Sequence, residues 1–64
     1  MDLAARIETR RLELGVSMVF LAKRLGMWDS TLQRRIKRGS LTAPQKRELA
    51  LALGYPADAF KDQT

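Results

Sequence analysis

Cysteine and histidine are both absent from this 64-residue chain. That excludes disulfides, zinc sites of the usual kind, thiol nucleophiles and histidine general bases together. Aromatic residues are scarce, with one tryptophan, one tyrosine and two phenylalanines. They are not interleaved with the basic residues, which argues against stacking on successive bases of a single strand. No apolar run approaches the roughly 18 residues of a membrane span, and no signal-peptide pattern opens the chain. A soluble cytoplasmic protein with no membrane partner is therefore expected.

What is present bounds the answer further. The length allows one small domain, residues 1–64, with a core so small that a partner subunit or ligand would help to stabilise it. Apolar residues make up 45% of the chain, too many for a disordered one. The net charge of +5 is unevenly placed. Residues 34–47 hold six cations (Arg34, Arg35, Lys37, Arg38, Lys46 and Arg47) and no acid, whereas the flanking segments together are close to neutral. A concentrated basic block points either to a polyanionic partner or to a solvated basic surface.

Glycines 15, 26, 39 and 54 each follow a segment with helical spacing, where a left-handed residue ends a helix. Between them the pattern predicts four helices and a shorter fifth, and no strand. The first, about 2–14, is capped by Asp2, places Leu3, Ile7 and Leu14 near one face, and leaves Arg6, Glu8, Arg10 and Glu13 to water. The second, about 18–25, starts after Ser17 and turns Leu21, Ala22 and Leu25 inward, with Val19 and Phe20 outward. The third spans about 29–38, with either Trp28 or Asp29 as its cap. The fourth, about 43–53, opens with Thr42-x-x-Gln45, a capping-box spacing, and carries Pro44 in its first turn. In "GYPADAF" the last short helix lowers Phe60 onto the core.

The second and third segments have the spacing of a helix-turn-helix, about residues 17–38. Ala22 is small enough for a close helix crossing, Gly26 follows in the turn, and Leu21, Leu25, Met27 and Leu32 supply the locking contacts. At about 100° per residue, Leu32 and Ile36 define the buried face of the third helix. Arg34 lies opposite them, with Ser30, Thr31, Lys37 and Arg38 around it and Gln33 on the flank. Hydroxyls in the first turn and cations in the last suit a helix whose start reads base edges and whose end meets phosphate. Arg34 is the best reader, because its fork can bond guanine O6 and N7 together. Trp28 falls on the side of Leu32, so burial at the turn is expected for it. Asp29 either caps the helix or accepts from cytosine N4.

Through "RIETRRLELGVS", "FLAKRLGMWDSTLQRRIKRG" and "ELALALGYPADAF", the chain resembles the Cro/repressor-type helix-turn-helix family of phage and bacterial regulators. The resemblance implies an all-α, compact five-helix lambda-repressor-like domain that binds double-stranded operator DNA as a homodimer, with its third helix in the major groove. It further implies phosphate contacts at Arg11, Ser17, Arg38, Ser40, Lys46 and Arg47, beside Lys37 from the helical wheel. Leu51, Tyr55 and Phe60 form the expected dimer interface. Family context includes phage repressors, antitoxin-type autorepressors and small regulators that accompany anti-CRISPR genes. The chain departs from the family at Met18-Val19-Phe20, where a polar residue often grips phosphate, and at Arg35, where an apolar residue is common. Neither a cofactor nor a small-molecule ligand is expected, and nothing resembles an enzyme's nucleophile-and-base set. The exposed Met18-Val19-Phe20 patch keeps a second reading open, that of a protein-interaction module on the same scaffold.

Overall fold

The helix boundaries follow from local chemistry. The computed structural model describes residues 2–62, so the first and the last two residues of the expected 1–64 domain lie outside the described residues. Four helices are formed, α1 (Leu3–Leu14), α2 (Met18–Leu25), α3 (Asp29–Arg38) and α4 (Ala43–Ala52), with no strand among the described residues. Asp2 caps α1 by accepting from the Ala5 N–H (2.8 Å), and Ser17 Oγ caps α2 by accepting from the Phe20 N–H (3.0 Å). At α4 the capping box is complete. Thr42 Oγ1 accepts from the Gln45 N–H, and Gln45 Oε1 accepts in return from the Thr42 N–H.

All four helices stop in the same way. A glycine turns left-handed, and the next N–H reaches back to the carbonyl five residues earlier: Val16 to Arg11, Met27 to Ala22, Ser40 to Arg35 and Tyr55 to Ala50, at 2.9–3.1 Å. These bonds satisfy carbonyls that the end of a helix leaves without partners. In the α2–α3 turn Gly26 has φ of 73°, and an added Cβ would meet no atom within 4 Å. The need for glycine there is thus one of backbone conformation and not of space.

The core draws on every element. Leu3 and Ile7 of α1, Leu21 and Ala22 of α2, Leu32 and Ile36 of α3, and Leu49 and Ala50 of α4 are buried, joined by Leu41, Leu53 and Phe60 from the connections. α2 packs against both α3 and α4, and α1 packs against α3. On the surface, an Arg24–Glu48 ion pair (2.9 Å) ties α2 to α4, a contact worth at most about 1 kcal/mol when exposed. No helix among the described residues is long and apolar enough to cross a membrane.

Several expectations are corrected. The fifth helix is not formed: residues 57–62 run through turns, with i to i+3 bonds from Ala59 to Pro56 and from Lys61 to Asp58. The segment is too short to pass the cost of helix nucleation. It is held instead by Phe60, which is fully buried and meets Tyr55 edge to face at 5.5 Å. Phe60 is therefore no part of a dimer interface. Arg6 and Arg10, expected in water, lie on these rings. Arg6 is 5.2 Å from the Phe60 centroid, Arg10 is 5.3 Å from that of Tyr55, and Arg10 Nε also donates to the Leu53 carbonyl (3.0 Å). Their i, i+4 spacing sets one cation above the other beside the buried stripe, where the aromatic faces attract them. Leu14 is 43% exposed and outside the core, because the packed surface lies beneath the first two turns of α1.

The Leu49–Leu51 pair separates burial from chemistry. Leu49 is fully buried and Leu51 is 48% exposed. Leu49→Ala is expected to cost about 2–5 kcal/mol, a large part of what a chain this short possesses. Leu51→Ala is expected to stay within about 0.5 kcal/mol. Gly26→Ala falls between, at about 1–2 kcal/mol of left-handed strain. Urea unfolding of the three variants checks the order.

Candidate nucleic-acid interface

α3 is rotated by its two buried side chains. With Leu32 and Ile36 in the core, Ser30, Gln33, Arg34, Lys37 and Arg38 are exposed, and Thr31 and Arg35 are half-buried. The four residues expected to read bases are thus brought onto one helix, three fully outward and Thr31 at the margin. Lys37 and Arg38 end the same helix. There the partial negative charge of the last carbonyls favours them, and Asp29 in the first turn is favoured in the opposite sense.

The cap of α3 is Trp28, with extended backbone (φ −75°, ψ 152°) and no side-chain cap bond. Asp29 is the first helical residue and makes no such bond either, so its expected capping role is not realised. Trp28 is also not buried, being 80% exposed. A helical-wheel angle does not apply to a residue whose backbone has not yet entered the helix, and extended backbone at the cap carries the indole away from Leu32.

Charge pairing divides the surface. The three ion pairs among the described residues involve Arg10, Arg11 and Arg24, all on α1 and α2. Arg34, Arg35, Lys37, Arg38, Lys46 and Arg47 have no carboxylate of the described residues within ion-pair distance. Lys46 is half-buried and Arg47 exposed in the first half of α4. A cation near a helix N-terminus opposes the helix dipole, so stability of α4 does not account for them. Among the described residues no side-chain polar group is buried without a partner, and any ligand recognition by these residues occurs at the surface.

The remaining expected contacts are partly engaged within the chain. Ser17 Oγ accepts from Phe20 N–H, leaving its own hydrogen free to donate. Ser40 closes α3 by donating from its N–H to the Arg35 carbonyl, with its hydroxyl at 3.5 Å from the same oxygen. Arg11 is clasped by Glu8 and donates to the Val16 carbonyl (3.1 Å). Its guanidinium hydrogen bonds, more than its charge, hold the Glu8 carboxyl below the ordinary glutamate value. Of the expected dimer residues, Leu51 is exposed, and Tyr55 is half-buried under Arg6 and Arg10.

Because the folded Glu8 value is depressed, the pair contributes stability above the unfolded glutamate range and loses it as pH falls through the folded value. Arg11→Met is expected to move the Glu8 midpoint upward toward that of an ordinary glutamate. An NMR titration of the Glu8 carboxyl carbon checks this, and an unchanged midpoint would contradict the assignment.

No protein-family model, no curated protein and no solved structure matches the chain.

Proposed function

We propose that the chain is a sequence-specific double-stranded DNA-binding regulator of the Cro/repressor helix-turn-helix type, with α2 and α3 as the motif and α3 as the reading helix. The observation that carries this is the outward face of α3, where hydroxyl, amide and guanidinium groups lead into cations with no acid paired to them. A ten-residue helix is about 15 Å long and about 10–12 Å across with side chains, a fit for a major groove about 12 Å wide. In this reading Arg34 bonds a guanine edge, Gln33 an adenine, and Ser30 and Thr31 adapt to the bases at the start of the helix. Lys37, Arg38, Lys46 and Arg47 neutralise phosphates and fix the register. Ser17 and Ser40 add hydroxyl contacts, and Arg11 joins them if it exchanges Glu8 for phosphate.

The dimensions suit two chains on one duplex. With extents of 24 × 22 × 19 Å, two copies fit side by side at half-sites about 34 Å apart. Repression of its own or a neighbouring operon, controlled by protein concentration, is the simplest role for such a pair. The second reading, a protein-interaction module, is favoured by the exposure of Val19, Phe20 and Trp28.

Selection from random duplex DNA tests the proposal, with an enriched two-fold symmetric site as the expected outcome. Arg34→Ala is expected to weaken that site by about 1–3 kcal/mol and relax one guanine position, whereas Lys37→Ala weakens all duplexes alike and lowers the salt slope by about 1. Equal affinity for every duplex would sink sequence-specific reading. Function that survives loss of Ser30 and Arg34 but not of Phe20 would favour the interaction module.

A further inference from the structure

Beside the α2–α3 turn lies an open groove of about 620 Å³ whose lining includes Val19, Lys23, Met27, Trp28 and Asp29. Trp28 is the most exposed large apolar side chain among those described, and Val19, four residues before Lys23, is half exposed. Neither Lys23 nor Asp29 has an ion-pair partner among the described residues. The patch therefore holds one large apolar knob, one apolar hollow, one free cation and one free anion.

We propose that this face docks a second copy of the chain, each copy seating its Trp28 in the groove of the other. A two-fold contact uses the same patch on both sides, so the patch must be complementary to itself. Lys23 and Asp29 meet that requirement, because the rotation can set Lys23 of each chain against the partner's Asp29. Charge also separates this occupant from nucleic acid. The groove's lining carries one cation and one acid, whereas none of the six cations of residues 34–47 lines it. Tryptophan in a hollow lined by apolar side chains is the kind of contact that dominates the energy of small protein interfaces. With so few side chains on each side, the dimer is transient and concentration-dependent.

Asp29 opens α3 and precedes Ser30, so a copy seated here shields the start of that helix. If α3 reads DNA as proposed above, association through this face and duplex binding exclude one another. Only this consequence rests on that reading.

The test is made on the full chain without DNA. Because Trp28 is the sole tryptophan, its fluorescence reports on the contact directly. Sedimentation velocity is expected to show the average mass rising with concentration, while the emission moves to shorter wavelength and acrylamide quenches it less. Trp28→Ala abolishes the association. Lys23→Asp leaves two acids in the patch and Asp29→Lys leaves two cations, so each alone associates about tenfold or more weakly. Their equimolar mixture restores association, which also shows that both variants are folded. A wild-type chain that stays monomeric at millimolar concentration overturns the proposal, as does a mixture that fails to associate while the wild type does. A Trp28 shift seen only on adding duplex overturns it too, and gives the groove to DNA. Failure of the duplex-binding reading leaves the association measurement unaffected.

Discussion

The insertion of Leu32 and Ile36 into the core is the constraint on which the rest of the molecule depends. Two side chains one turn apart, both buried, fix the rotation of α3 about its own axis. Once that is set, the directions of Ser30, Gln33, Arg34, Lys37 and Arg38 follow from helical geometry. The support beneath is α2, whose Leu21 and Ala22 are buried and which packs against both α3 and α4. A rotation of α3 by part of a turn would bring Arg35 further out and expose one of the two anchors. The half-buried state of Arg35 shows how near the stripe runs to that boundary, and its long aliphatic stem allows it to lie there.

A core of eleven buried side chains among the described residues leaves little surplus, and the chain compensates at its C-terminal end. Tyr55 and Phe60 close the base of the molecule without a helix to carry them. Their rings are capped by Arg6 and Arg10 from the opposite end of the sequence, and the Arg10 bond to the Leu53 carbonyl satisfies the end of α4. These arginines are consequently structural, and they stand apart from the basic block. Most cations of the chain thus fall into two groups, with Lys23 and Lys61 in neither. Those on α1 and α2 that are paired or stacked hold the fold, and those between 34 and 47 have no acid of the described residues to neutralise them. A partner rich in negative charge, as proposed, would meet the second group first.

Much of the architecture was legible because it rests on local rules. The four helices, their glycine stops, the caps at Asp2, Ser17 and Thr42, and the outward face of α3 each depend on residues within a turn or two of one another. The candidate reading face shares this property, since one helix carries all of it. What could not be read were placements set by partners distant in sequence. The cover of Arg6 and Arg10 over the C-terminal rings joins positions more than forty residues apart. The burial of Phe60 on the core is legible from the sequence, and its completeness is what removes Phe60 from a dimer interface. Trp28 differs for another reason: its extended backbone stands one residue before α3, where the helical period does not yet hold.

The sequence by itself determined the helices, their ends and which face of each is apolar, because periodicity and capping are short-range. Tertiary structure alone decided that Arg6 and Arg10 lie on the C-terminal rings, that Arg24 pairs with Glu48, and that Trp28 stands in solvent. Those outcomes depend on which surfaces the packed helices bring together, and no spacing along the chain encodes that.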